Sequence, residues 1–591
     1  MSKKVLGILC AACLLAAVVF SVMQPLSAKA AGVTYYVSSS EGDDANDGTG
    51  MDTPWETFAN VKDLRLGPGD RVLLKRGDVW NERLEIYANG SEEHWAYVGP
   101  YGDIDEDRPE ISLGNNRNDI GILAQDVVPE GNKKNGLNYL WIDNLTVKNA
   151  YLGIYFRFYN TENNKGIKVT DCHIENINVP DIMTYEMTRN QATTESTLMQ
   201  AKGNLPYVNG TTYYATGGGA VEFIWPSAIM IGGQPGAIAS VVSGPARPVN
   251  KVSDIIVERV EMADCIMGIS ATPYNCHYGW SKENICFTYT KNWKVNDIWS
   301  TGSMGILNID SAEFGWDGTD DSEWGIFKNI QALTGNDTYS MAYGTTQGIL
   351  STTKNLMITD SQFNGCTNLG FPDGCGFDFE RQNHNIVLQN SVIANNEGQG
   401  ILMMDTVGLD QVTGVEVPSP NSDITVKNCL FYNNMYDVWN NNYRYDFCMF
   451  NNGNTNIKIQ NNTTYFRQRT GGAANVLINR ENTASSTNGT WSFNMVGPVR
   501  NGVTQSGNVN AGRYTSTPPV TLAQAITAKG LTAATVTFTI QEKANNDAGG
   551  DGPVFDADGF APATQGMFPS AKQNGSWTWN SGALTNTATA Q

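Results

Sequence analysis

A short segment that recurs along this 591-residue chain constrains its fold more than any other feature. Each copy alternates small apolar residues with polar ones and closes on Asn, Asp or Gly, the period-two pattern of a strand followed by a turn. No sustained helical period accompanies the copies, which argues against a helical or leucine-rich solenoid. The six copies begin at Gly166, Asp254, Asn355, Asn385, Asp423 and Asn456.

The spacing of the copies predicts the architecture. The later copies follow one another at intervals of about 30 to 40 residues, so each can form one coil of short strands that stacks on the next. The sequence therefore predicts an all-β fold, a parallel β-helix solenoid with N- and C-terminal caps over its open edges. Asparagines near the bends can form ladders of side-chain hydrogen bonds. The side chains expected inside are Ile386, Leu388, Ile424 and Val426.

The two ends of the chain suggest its domain organisation. Residues 1–30 carry Lys3 and Lys4, then an apolar run and Ala28-Lys29-Ala30, the layout of a cleaved secretory signal, with an uncleaved anchor as the alternative. We predict a secreted, extracellular protein with no membrane contact after cleavage. Residues 31–125 are expected to form the N-terminal cap and first coils. Residues 126–505 form the β-helix, with a long loop insertion near 180–250, and 506–591 a C-terminal cap or tail.

Charge excludes several partners. The formal charge is −20, and nucleic acid or an anionic membrane needs basic surface to replace its counterions. We expect a monomer that binds a polysaccharide or oligosaccharide. Cys172 and Cys429 occupy the repeat position that holds Ser361 and Ser391, which predicts buried, unpaired thiols, with disulfide pairing in an exported protein as the alternative.

Two segments resemble a known group of proteins. The opening Tyr35-Tyr36-Val37-Ser38, followed by an Asp-rich stretch and Pro54-Trp55, resembles the N-terminal part of secreted right-handed parallel β-helix proteins of the pectate-lyase-like superfamily. The segment 373–380 and the following Asn-rich repeat resemble glycosidase-related β-helix proteins. This resemblance covers most of residues 33–470 and implies a right-handed solenoid and polysaccharide chemistry. Polygalacturonase-like hydrolases fit poorly, because no histidine here lies between glycines.

The hexamer Gly376–Arg381 carries two carboxylates and a cation, and it directly precedes a copy of the repeat. If Phe377 and Phe379 turn inward, Asp378 and Glu380 project from the same outer face. Their Cα atoms would lie about 7 Å apart along the strand. That separation is close to the one that acid and base carboxylates need in a glycosidase.

We therefore predict a glycoside hydrolase with Asp378 and Glu380 as catalytic groups and Asp373 and Asp310 as further candidates. The alternative is that the pair only solvates an exposed sheet face or binds calcium. Aromatic rings can stack on sugars, and polar groups beside the acidic strand can bind their hydroxyls. The predicted substrate-binding residues are Tyr155, Trp299, Trp316, Trp324, Arg381 and His384, with core packing as the alternative for each Trp and an exposed turn for His384.

The remaining alternatives differ in whether they require a cofactor. The hydrolase requires none, whereas a polysaccharide lyase would use calcium and take Arg381 or Lys328 as its base. A calcium site is predicted at Asp317, Asp320 and Asp321, since hard cations take several carboxylate oxygens, with a solvated loop as the alternative. A non-catalytic glycan-binding surface protein is the alternative from another class.

Overall fold

The structure is a computed structural model. The residues that it describes are 32–114, 119–128, 133–134, 136–158, 163–177, 226–233, 249–271, 287–303, 305–333, 346–366, 375–396, 399–403, 408–409, 416–417, 420–434, 447–450, 454–466, 481–487, 490–495, 503–513, 520–531, 577–580 and 583–586.

The strands stack into three parallel sheets, called A, B and C, around one apolar interior. Each coil crosses A, then B, then C, and its strands pair with those of the coils before and after. Sheet A contains Thr34–Val37, Arg71–Lys75, Ala96–Tyr101, Leu140–Asp143, Asn163–Thr170, Val249–Ala263, Phe287–Thr301, Ile326–Ala332, Thr346–Thr359, His384–Gln389, Ser422–Lys427, Ile457–Gln460 and Val503–Ser506.

Sheets B and C complete each coil, and several long strands turn a corner to serve two sheets. Val249–Ala263, Phe287–Thr301 and Ile326–Ala332 continue from A into B. The other strands of sheet B are Val79–Trp80, Glu110–Ser112, Thr146–Ala150, His173–Ile177, Gln362–Asn364, Val392–Ala394, Leu430–Tyr432, Thr463–Phe466 and Val509–Arg513. Sheet C contains Leu84–Ile86, Ile120–Gln125, Leu152–Phe158, Ser227–Gly233, Met267–Ala271, Gly305–Glu313, the first part of Thr346–Thr359, Cys375–Arg381, Ile401–Met403, Phe447–Phe450 and Glu481–Thr487. The predicted parallel β-helix is confirmed.

Left-handed residues five positions apart form the corners between the sheets. In one coil these are Asn385, Asn390 and Asn395, with φ of 55°, 49° and 50°, a region that Asn and Asp tolerate better than other side chains. Asn428 and Asn433 of the next coil donate to Asn390 and Asn395 at 2.7 and 2.9 Å, so the predicted ladders exist. The first residues of all six repeats have positive φ: Gly166, Asp254, Asn355, Asn385, Asp423 and Asn456.

The interior is packed as the repeat pattern predicts. Ile386, Leu388, Ile424 and Val426 are fully buried and belong to one continuous core. Burying such a side chain contributes roughly 1.5 to 3 kcal/mol, so each coil adds substantially to the stack.

The predicted thiols lie at one recurring position. Cys172 and Cys429 are buried and unpaired, and each Sγ donates to the carbonyl two residues earlier. The hydroxyls of Ser361 and Ser391 make the same contact. Cysteine and serine therefore share one structural role here.

A helix, Leu522–Lys529, covers part of the outer face of sheet B. It begins with a capping box between Thr521 and Gln524 and ends at Gly530, whose φ is 73°. Leu522 and Ile526 pack with apolar residues of the sheet B strands Val392–Ala394 and Leu430–Tyr432. No helix in the described ranges is long and apolar enough to cross a membrane.

A few short elements complete the description. They are the 3₁₀ helix Val61–Asp63, the antiparallel pairs Val127–Val128 with Lys133–Lys134, Gly408–Leu409 with Glu416–Val417, and Trp577–Asn580 with Ala583–Asn586, and the strand Thr490–Met495 beside Glu481–Thr487. The signal segment 1–30 and most of 180–250 lie outside the described residues. The expected domain boundaries and caps stay predictions.

Candidate active site

The outer face of sheet C carries the two carboxylates of the strand Cys375–Arg381. Phe377 and Phe379 belong to the core, and side chains alternate along a strand, so Asp378 and Glu380 lie on the outer face. Both are buried, with 4% and 6% of their surface exposed. Buried carboxylates are costly unless polar groups surround them. They therefore do not serve to solvate an exposed face, the alternative that the sequence left open.

Asp310 lies on the same face, two coils earlier. It is 5% exposed and pairs with Ser351, which in turn pairs with Arg381. Neighbouring strands are about 4.8 Å apart, so the backbones of Asp310 and Glu380 are separated by roughly 10 Å along the solenoid axis. The sequence-predicted proximity of these two strands is confirmed.

A β-bulge lies at the acidic strand itself. Phe379 pairs with Leu350, but the next residue, Ser351, pairs with Arg381, so Glu380 is an extra residue without a rung of its own. Bulges bend a strand, re-aim a side chain and are frequent beside active sites. Nothing in the period-two pattern of the segment predicted this bulge.

Two polar side chains on the neighbouring strand have unused hydrogen-bonding atoms. Ser351 Oγ and Gln347 Oε1 are buried without a hydrogen-bond partner among the residues that the structure describes. Buried polar groups are usually satisfied, so such atoms need an explanation. Ser351 lies in the row between Asp310 and the bulge.

Two predicted aromatic residues lie on other sheets, so their expected place beside the acidic strand is wrong. Trp299 is on sheet B, paired with Glu261 and Gln331. Trp316 packs against Met357 and other apolar side chains on the outer face of sheet A. The chain turns a corner about every five residues, so residues close in sequence are carried to different faces.

Trp324 and His384 are also separated from the carboxylates. Trp324 is half-buried beside sheet A, with Lys294 Nζ 5.3 Å from its ring centroid. His384 begins a sheet A strand and is largely exposed, and its Nδ1 lies 2.9 Å from Ser422 Oγ. His384 is therefore an exposed residue at the start of a strand, and its substrate-binding role stays a prediction.

Tyr155 lies on sheet C but far from the acidic strand. Five rungs separate it from Asp378 in the pairing register, or about 24 Å. It is buried in a small apolar cluster with Leu123 and Met230. For Arg381 only the backbone pairing is described, and Asp373 lies outside the described residues.

The acidic loop 317–323, which follows a strand of sheet C, is a turn with hydrogen bonds between its own residues. Asp317 accepts hydrogen bonds from the backbone and hydroxyl of Thr319, and contacts with Ser322 and Thr319 lower its pKa to about 2. Asp320 and Asp321 are exposed. In the described part of the chain no three His, Cys, Asp or Glu side chains are grouped so that they could hold a metal ion. The calcium site predicted in this loop stays a prediction, with the solvated loop as its alternative.

Four further aromatic residues, not predicted as site residues, lie on sheet A. Trp95, Tyr97, Tyr139 and Trp141 are half-buried on its outer face in two successive coils. The signal was present in the segments Trp-Ala-Tyr-Val at 95–98 and Tyr-Leu-Trp-Ile at 139–142, where rings alternate with core aliphatics. Such alternation places all the rings of a strand on one face.

Comparisons with known proteins give one local sequence match and several distant structural likenesses. No family model matches the chain. Lacto-N-biosidase from Bifidobacterium longum subsp. longum is 31% identical over 167 residues, which is 23% of this chain and 10% of that protein. The chain thus matches about a tenth of the curated relative's length, and the relative's activity is not thereby established for it.

Among solved structures, a GH136 lacto-N-biosidase from Eubacterium ramulus has a TM-score of 0.48 and 16% identity, with 81% of this chain and 67% of that chain covered. Pectate lyase Pel9A has a TM-score of 0.32 and 13% identity, with 92% and 90% covered.

Proposed function

We propose that this protein is a secreted, monomeric glycoside hydrolase that acts on an oligosaccharide or polysaccharide, with Asp378 and Glu380 as its acid–base groups. The observation that carries the proposal is the set of three carboxylates, including that of Asp310, buried together on the outer face of sheet C. The local similarity to a lacto-N-biosidase supports the same class of reaction.

The chemistry follows from the spacing of the pair. One carboxyl group, protonated, donates its proton to the leaving oxygen as the glycosidic C–O bond breaks. The other, ionised, activates a water molecule or attacks the anomeric carbon, and water finally supplies the new hydroxyl. Cα atoms about 7 Å apart allow the carboxyl separations that both kinds of glycosidase use. Asp310, farther along the axis, is the third group that could replace one of the pair.

The lyase alternative needs a base and calcium near the substrate. Lys328, one of its two suggested bases, is exposed on sheet A, whereas the carboxylates lie on sheet C. Among the residues that the structure describes, no three His, Cys, Asp or Glu side chains are grouped so that they could hold a metal ion. A hydrolase, by contrast, needs only the carboxyl groups and water.

The test is turnover by near-isosteric variants. Asp378→Asn and Glu380→Gln should each lower turnover at least a hundredfold, the loss expected when a general acid or base is removed, with the melting temperature nearly unchanged. Asp310→Asn tests the third carboxylate. Asp360→Asn is the matched control, because Asp360 occupies a left-handed corner that Asn tolerates equally.

The assay should use a panel of glycans and protein recovered from the culture medium, which also tests export. Released reducing ends without unsaturated uronates indicate hydrolysis. Unsaturated uronates that disappear with a calcium chelator would establish the lyase instead. If a glycan is hydrolysed and all three carboxylate variants keep the wild-type rate, the proposed site is wrong.

A further inference from the structure

Four aromatic rings lie in two pairs on the outer face of sheet A. Trp141 is in register with Tyr97, which places Tyr139 beside Trp95. Each pair meets edge to face, with ring centroids 5.4 Å apart for Trp95 and Tyr139 and 5.1 Å apart for Tyr97 and Trp141. All four rings are partly exposed, so other parts of the chain do not fully cover them.

Polar contacts orient the rings of Tyr97 and Trp141. Tyr97 donates its hydroxyl to Asp143 Oδ2 at 2.9 Å, and Trp141 Nε1 donates to Thr170 Oγ1 at 2.7 Å. Lys168 Nζ lies 3.9 Å from the Trp141 ring centroid. The rings are therefore oriented before any ligand arrives, which lowers the entropic cost of binding.

Tyr139 breaks the repeat at a corner. Its φ is 47°, in the left-handed region that is unfavourable for a residue with a side chain, and the same corner in the next two coils holds Gly166 and Asp254. A Cβ on Gly166 would lie 2.5 Å from Tyr139 Cδ1, so that glycine makes room for the ring. This corner therefore carries an aromatic ring where the next two coils carry Gly and Asp.

The surroundings of the rings indicate the kind of ligand. Arg71 lies one rung before Tyr97 and Lys168 one rung after Trp141, and Asp143 borders the rings, so this is not an apolar protein interface. The net charge of −20 disfavours anionic polymers and membranes. A sugar offers an apolar C–H face for the rings and hydroxyls for the charged groups.

We propose that Trp95, Tyr97, Tyr139 and Trp141 form a binding platform for a neutral oligosaccharide, on a different sheet from the carboxylates. This platform would hold a glycan chain on sheet A independently of bond cleavage on sheet C. The choice of a glycan is consistent with the proposed function, but binding on sheet A does not require hydrolysis on sheet C.

The experiment measures binding to an array of neutral oligosaccharides of increasing length, built from hexose and N-acetylhexosamine rings. The full chain with Asp378→Asn serves as the parent, so that any hydrolysis is suppressed. Trp95→Ala and Trp141→Ala should each weaken binding at least about tenfold, the effect of losing one aromatic contact of about 1.4 kcal/mol. Trp141→Phe, which keeps a ring, should retain most of the binding and covers the case in which Trp141→Ala fails to fold.

Tyr289→Ala is the matched control. Tyr289 is also half-buried with a lysine near its ring, but it is not one of the four rings. Unchanged binding by both Trp95→Ala and Trp141→Ala, or no binding of any array member by the parent, would overturn the platform.

The experiments distinguish a failure of the binding platform on sheet A from a failure of the hydrolase site on sheet C. If the wild-type chain hydrolyses nothing but binds the array through Trp95 and Trp141, the platform stands and the hydrolase fails. If a short soluble glycan is hydrolysed and the array is not bound, the hydrolase stands and the platform fails.

Discussion

A single histidine bridges two carboxylates on the outer face of sheet B. His173 Nδ1 and Nε2 each lie 3.2 Å from a carboxylate oxygen, of Glu261 and Glu175 respectively. A neutral imidazole has one N–H, so both contacts are hydrogen bonds only when the ring is protonated. Burial opposes the charge, but the hydrogen bonds to both glutamates outweigh it and raise the pKa of His173. The hydrogen bond from His173 lowers the pKa of Glu175 to about 2.

The raised pKa of His173 and the lowered pKa of Glu175 make stability depend on pH in opposite directions. His173 contributes fully below its unfolded pKa of about 6.5, and the contribution is lost as pH rises through the higher folded value. Glu175 contributes fully above about pH 4.5 and loses its contribution as pH falls towards 2. The cluster should therefore stabilise the protein most between about pH 4.5 and 6.5.

Thermal unfolding of wild type and His173→Gln across pH checks this. The difference in melting temperature should be largest near pH 5.5 and should shrink at alkaline pH. Lys148, 3.4 Å from Glu175, and Arg108, 3.8 Å from Glu261, remain in the variant and partly hold the carboxylates. A difference that does not vary with pH would contradict a charged His173.

At the scale of the element, the corner asparagines decide whether a strand can turn. Asn385 has a φ of 55° and donates to Asn355 Oδ1 at 2.9 Å. Asn385→Val should lower the free energy of unfolding by about 1 to 2 kcal/mol, because a β-branched residue is strained there. Asn385→Gly, which relieves the strain but loses the hydrogen bond, should cost less. Denaturant unfolding measures both, and a Val variant more stable than the Gly variant would refute the role of the backbone angle.

The same elements show what the sequence can and cannot predict. Period-two alternation was enough to place Leu388 inside and Asp378 outside, because that rule is local to one strand. It could not place Trp299 relative to Asp310, since the chain turns a corner at Gly302 between them. The bulge at Glu380 could not be predicted from the sequence either, because it depends on the register with the neighbouring coil.

At the scale of the whole molecule, stability is shared between neighbouring coils. Leu388 is fully buried and its strand pairs with the coils on both sides. Leu388→Asp should cost at least about 3 kcal/mol and unfold the coils around it together, because a charge then replaces apolar packing. Lys328→Asp, at an exposed position two coils earlier, should change stability by no more than about 0.5 kcal/mol. Denaturant unfolding with equal losses for both variants would contradict a continuous core.

The stacking of sheet C also has a consequence for how such a site can vary. The strand that carries Ser351 lies between those of Asp310 and Glu380. Their backbone separation along the axis is therefore a whole number of strand spacings of about 4.8 Å. Lengthening or shortening a loop between strands alters the walls of the site but not this interval. Only the gain or loss of a complete coil, such as the 30-residue step from Asn355 to Asn385, would change it.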